Sequence, residues 1–199
     1  MPTSFSINFD YRCPFARNAN EHVIEALRAG APWEVEFKAF SQSQDADENA
    51  APVWTDPSRL RELIAGAAGI VVRDRFPDHF YDAHLSLFAL RHDDGEDLRD
   101  ESVVRKGLLR AGVDDELVWR HIDDGWPMET LRAEHEASIA RHRVFGVPTF
   151  ILADQAVFVR LMDRPRGNAE VAQATVERIL ELIVNHPEIN EYKHTTVPF

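Results

Sequence analysis

Cysteine is almost missing from this chain: Cys13 is the only one among 199 residues. One thiol makes no intrachain disulfide, and a structural zinc cluster of thiolates is excluded with it. Basic charge is also short, with 22 Lys and Arg against 34 Asp and Glu and a net charge of -12. Nucleic acid and anionic membranes reward Lys and Arg near phosphate, so neither is expected as a partner, and the negative charge reads as solubility. No apolar run approaches the ~20 residues needed to span a bilayer. The start, Met1 to Asp10, lacks the basic head, apolar core and small-residue cleavage site of a signal peptide, so a cytoplasmic monomer or homodimer is expected. There is neither a dinucleotide-binding nor a P-loop glycine pattern, and paired metal-ligand spacings are absent, so no metal and no tightly bound cofactor are expected. His135 and His142, on one helical stretch, read as ordinary surface histidines.

What is present is enough apolar sequence, 44%, for a substantial core without metal or disulfide. Phe5, Ile7 and Phe9 alternate with Ser6 and Asn8, the pattern of a strand with one buried face. Pro14 opens a helix-compatible stretch to about Leu27, stopped by Gly30-Ala31-Pro32. Trp33, Val35 and Phe37 then alternate with charged residues. Strand, helix and strand in forty residues predict a βαβ unit with parallel pairing.

From Ser41 the character changes. Gln42 to Asn49 reads as a loop; one helical segment is expected around Leu60, Leu63 and Ile64, and a second, buried on most sides, over Phe80 to Leu90. Shorter helices are expected over Leu98 to Leu109 and Asp115 to Asp123, with Gly112 ending one and Asp114 capping the next, and a longer one from Pro127 to His142. After Pro148 the α/β pattern returns: Thr149 to Leu152 and Val157 to Val159 read as a hairpin joined by Ala153 to Ala156, before a helix ending near Val184. The tail carries Ile189, Tyr192, Val197 and Phe199, which suit docking on the body or a partner chain as well as a frayed end. The expected fold class is α/β, with residues 1–40 and 145–199 forming one discontinuous domain around helical insertion and linkers at 41–144.

Two short segments carry chemistry. Cys13 stands where a helix begins, and the unpaired amides and dipole there favour thiolate over thiol, with Arg12 and Arg17 adding charge on either side. The alternatives for a lone cysteine are burial as a small hydrophobe and an inert surface thiol. Val144 to Phe150 places Pro148 at the opening of a core strand, as a cis-proline in a tight turn or as a plain loop boundary.

Together, Phe9-Asp10-Tyr11-Arg12-Cys13-Pro14-Phe15-Ala16 and Gly146-Val147-Pro148-Thr149-Phe150 resemble the cysteine motif and cis-proline loop of the DsbA-like branch of the thioredoxin superfamily. The stretch from Leu161 through Arg166-Gly167 and the aromatic tail are most like its actinobacterial, mycothiol-associated members. The resemblance implies a thioredoxin-like fold with an inserted all-helical domain and a groove between the two parts. It implies Cys13 and Pro148 as the catalytic pair, the Val147 backbone as the partner of an incoming thiol or disulfide, and Phe15 as part of a hydrophobic rim. Arg12, Pro14 and Arg17 complete the candidate set for holding the thiol or substrate. His79 and His84 could reach such a groove from the helical insertion, but read more simply as helical surface or core.

The departure is at Ala16, where a dithiol enzyme of this type carries its resolving cysteine. A mixed disulfide on Cys13 then has no internal sulfur to discharge it, so an external thiol is required. The expected activity is monothiol thiol-disulfide exchange with mycothiol or glutathione as co-substrate and an unidentified small-molecule or protein disulfide as substrate. The alternatives are a thiol transferase or isomerase resembling the kappa-class glutathione transferases and chromene-carboxylate isomerases, and a degenerate binding or structural domain.

Overall fold

The structure, a computed structural model, describes residues 2–45 and 51–197. Strand β1 (Thr3–Phe9) pairs in parallel with β2 (Trp33–Ala39) across helix α1 (Pro14–Arg28), in register from Thr3↔Trp33 to Phe9↔Ala39. On its other edge β1 pairs antiparallel with β3 (Thr149–Leu152), which turns into β4 (Gln155–Phe158), giving the order β2-β1-β3-β4. The turn is shorter than expected: only Ala153 and Asp154 lie between the strands, with Ala153 at φ 55. Helix α8 (Ala169–Asn185), capped by the Asn168 side chain, packs along α1.

Between β2 and β3 lies a helical block: α2 (Gln42–Asp45), α3 (Ile64–Arg75), α4 (Phe80–His92), α5 (Glu101–Arg110), α6 (Asp115–Asp123) and α7 (Trp126–His142). Asp114 caps α6 by accepting from the Glu116 and Leu117 amides, and Gly112 at φ 72 lies just past the end of α5, both as expected. The loop expected over Gln42 to Asn49 instead begins with the one-turn α2, and its residues 46–49 lie outside the described residues. The segment expected around Leu60 splits into a 3-10 turn, Leu60–Glu62, and α3, which runs much further than its few large apolar residues suggested.

Helix α3 occupies the middle of the block, touching α4, α5, α6 and α7. Its small residues allow that approach. A Cβ at Gly66 would sit 2.7 Å from Leu131 Cδ1, and one at Gly69 would sit 2.4 Å from the Tyr11 hydroxyl oxygen. The block also covers the second face of β1, so Ser6 and Asn8, expected on an open face, are buried, and Asn8 Nδ2 donates to Ser138 Oγ of α7 at 3.1 Å.

A chain of hydrogen bonds fastens the block to the sheet. The Tyr11 hydroxyl donates to His84 Nδ1 (2.8 Å), His84 Nε2 donates to Asn20 Oδ1 (3.1 Å), and Asn20 Nδ2 donates to the Ala16 carbonyl (2.7 Å). Burial pushes His84 down to about 3, so its ring is neutral and this donor sequence satisfies both nitrogens. His92 Nε2 also donates to the Tyr11 carbonyl at 2.9 Å. His84 is thus core, whereas His79 donates from α4's approach to the Ala111 carbonyl at 3.0 Å. His135 corrects the surface reading: it is buried against the rings of Phe40 and Trp54. In the tail Ile189 and Tyr192 are exposed, so they do not dock on the body, and Phe199 lies outside the described residues.

Removing the hydroxyl that holds His84 tests this anchor. Tyr11→Phe leaves a buried ring nitrogen unsatisfied and is expected to lower unfolding free energy by about 1–3 kcal/mol, read as a lower urea midpoint at unchanged slope. An unchanged midpoint would show that the chain of bonds contributes nothing net.

Candidate active site at Cys13

The turn after β1 is shaped by Asp10. One carboxylate oxygen accepts from the Arg12 amide (2.9 Å), the other from the Gln42 amide (2.9 Å), and the Asp10 carbonyl accepts from the Cys13 amide (3.0 Å). Cys13 is thereby set as the cap of α1, in extended conformation, with Pro14 following as the first helical residue. Its Sγ accepts from the Ala16 amide at 3.4 Å, and the Asn20 and Tyr11 anchors described above lie directly behind that turn.

The other wall comes from the strand opening. The Val147–Pro148 peptide is cis, and the Val147 carbonyl oxygen lies 3.2 Å from Cys13 Sγ, which donates its S–H to it. Residues far apart in the chain meet because β1 and β3 are neighbours in the sheet. Cys13 is only 5% exposed, and Ala16, where a second sulfur would stand, is fully buried.

This setting does not activate the thiol as its position at a helix start suggests. Burial pushes the Cys13 thiol above its ordinary value; the Ala16 and Phe15 amides oppose that shift without overcoming it, Asp10 adds to it and Arg160 opposes it. The Val147 carbonyl can accept only from the protonated form, which works in the same direction. The resting side chain is a thiol.

The candidate binding residues separate. Val147, Pro148, Pro14 and Phe15 gather around the sulfur, Phe15 half-buried. Arg12 and Arg17 flank Cys13 in sequence but are committed to carboxylates. Arg12 pairs with Asp10 (3.2 Å) and Glu62 (3.6 Å), while Arg17 is buried and pairs with Glu21 (3.0 Å) and Asp93, a set completed by Arg164 against Glu21 (2.6 Å). The charged groups that act on Cys13 are instead Asp10 and Arg160. Sequence reasoning passed over Arg160 because only the β3–β4 register brings it to the site.

A cleft of about 360 Å³ opens beside the turn, lined by Asp10, Tyr11 and Arg12 from the sheet side and by Glu62, Arg91 and Arg99 from the helical block. Cys13 does not line it. Among the described residues no cluster of His, Cys, Asp and Glu could hold a metal ion, and no helix is long and apolar enough to cross a membrane.

A thiol held protonated has a measurable signature. Thiolate absorbance near the ultraviolet edge is expected to rise with a midpoint above the ~8.5 of a free cysteine, and to vanish in Cys13→Ala. A midpoint well below that value would mean that the helix terminus overcomes burial after all.

No family model matches the chain, and no curated protein matches it by sequence. Solved structures do match. A thioredoxin-like oxidoreductase from Silicibacter pomeroyi aligns with TM-score 0.60 at 18% identity, over 90% of this chain and 87% of that one. A 2-hydroxychromene-2-carboxylate isomerase aligns with TM-score 0.60 at 15% identity, over 89% and 96%. DsbA from Pseudomonas aeruginosa aligns with TM-score 0.55 at 18% identity, over 90% and 84%. The chain therefore has the thioredoxin-like α/β fold of DsbA-like proteins, with a helical insertion between its second and third strands.

Proposed function

We propose that the protein is a monothiol thiol-disulfide oxidoreductase acting through Cys13, with a low-molecular-weight thiol, glutathione or mycothiol, as co-substrate. The observation that carries this reading is the seat of Sγ between the Ala16 amide and the Val147 carbonyl beside a cis-proline, with a methyl group where a resolving sulfur would be. A fold shared with oxidoreductases is consistent with it.

In this reading the Cys13 thiol gives up its proton and Sγ bonds to one sulfur of an incoming disulfide. The S–S bond breaks, and the departing thiolate takes a proton. A second external thiol then attacks the mixed disulfide, leaves as the new disulfide and returns Cys13 to the thiol. Each unit by which the Cys13 pKa is raised cuts the thiolate fraction at neutral pH about tenfold but recovers about threefold in intrinsic nucleophilicity, so the penalty is partial. Val147, once freed of the S–H, offers its backbone to the bound partner, and Phe15 supplies an apolar contact. The need for a reduced external thiol fits a cytoplasmic setting.

A second reading follows from the likeness to the isomerase and from the resting thiol: Cys13 positions a bound thiol cofactor without becoming covalently linked to it.

Intact mass after incubation with oxidised glutathione and oxidised mycothiol, in parallel, separates the readings. Exchange is expected to give one adduct, absent from Cys13→Ala and removed by the matching thiol. No adduct with either disulfide contradicts exchange. Cys13→Ser is expected to abolish exchange, whereas a variant that still turns over a thiol-dependent isomerisation supports the second reading.

A further inference from the structure

The β3–β4 hairpin brings a cation to the mouth of the site. Beyond β4, the Val159 amide donates to the Pro148 carbonyl at 3.1 Å, which ties the end of the hairpin to the cis-proline. The next residue is Arg160, which is exposed, with its guanidinium carbon 5.6 Å from the centre of the Phe15 ring and 5.8 Å from that of Phe158. Phe15 belongs to the first turn of α1, two residues after Cys13. Phe158 in turn lies 5.2 Å from the ring of Phe145, which is 75% exposed in the loop before Val147. Arg160 is therefore held over two rings, Phe15 from the turn that seats the sulfur and Phe158 from the end of β4, the latter backed by Phe145 of the loop before Val147.

Its charge differs from that of its neighbours. Arg12, Arg17 and Arg164 are each paired with carboxylates, whereas among the described residues no carboxylate pairs with Arg160. Two ring faces attract the guanidinium without consuming its N–H donors, so its edge stays available for a planar anion. In a chain of net charge -12, which repels anions at a distance, an uncompensated guanidinium at the mouth acts locally, within a screening length of about 8–10 Å.

We propose that Arg160 is a specificity-determining residue that selects carboxylate-bearing low-molecular-weight disulfides for attack by Cys13. The inference rests on the exchange reading above and narrows it. Glutathione carries carboxylates and mycothiol carries none, so Arg160 favours the glutathione class. The step is the same balanced exchange: the carboxylate docks on the guanidinium, Sγ bonds to the near sulfur, and the far half leaves as thiolate.

The test compares two aromatic disulfides of different charge, dianionic 5,5′-dithiobis(2-nitrobenzoate) and neutral 4,4′-dithiodipyridine, as single-turnover reagents for Cys13. Arg160→Gln is expected to slow the anionic reagent by about threefold to fivefold, the scale of an exposed charge contact, and the neutral one by less than about twofold. Arg160→Lys is expected to restore most of the anionic rate, and high salt is expected to erase the difference between wild type and Arg160→Gln. Thermal melting checks that each variant folds. If both reagents slow equally, or the anionic rate does not change, Arg160 is not a charge selector although the exchange reading stands. If wild-type Cys13 reacts with neither, the exchange reading fails and the role of Arg160 with it.

Discussion

One sulfur held between a helix amide and the carbonyl of the cis-proline loop sets the requirements for everything around it. Cys13 Sγ must meet the Ala16 amide on one side and the Val147 oxygen on the other. The first contact needs the chain to leave β1 and enter α1 with Cys13 as the cap, which the Asp10 carboxylate achieves by tying the Arg12 and Gln42 amides. The second needs β3 beside β1, so the long helical block must leave and return without disturbing the sheet. The Tyr11–His84–Asn20 chain couples these demands, because it fixes α4 against the same turn of α1 that supplies the Ala16 amide.

That seat has a chemical cost. A helix N-terminus favours thiolate, but its influence is limited when the sulfur is almost fully buried and faces a carbonyl that accepts only from the thiol. Here desolvation wins. Arg12 and Arg17 do not redress the balance, since nearby acids neutralise both. Among the described residues the cation that does favour the thiolate is Arg160, which stands exposed over Phe15.

The frame of the fold was readable from local pattern. The βαβ unit, the Asp114 cap, α6 and the strand opening at Pro148 each rest on signals within a few residues. What escaped needed neighbours distant in sequence. Helix α3 is rich in small residues and buried along most of Ala65 to Val72, so it shows no apolar stripe, and its glycines make sense only once Tyr11 and Leu131 are known to press on them. The burial of Ser6, Asn8 and His135 depends on α7 and the loop around Trp54. At the site, Cys13 and Pro148 could be picked out from their motifs, but the state of the thiol could not, because burial is a property of the assembled fold. Arg160 was hidden for the same reason: nothing in its local sequence places it above Phe15.

With Cys13 as its one sulfur, the site on the exchange proposal depends on a thiol from outside. Restoring the second sulfur tests it directly, by following a preformed mixed disulfide on Cys13 after free thiol is removed. The adduct on the native protein is expected to persist, while Ala16→Cys is expected to expel the bound thiol and finish with an internal disulfide. Spontaneous discharge from the native protein at the rate of the variant would contradict the account.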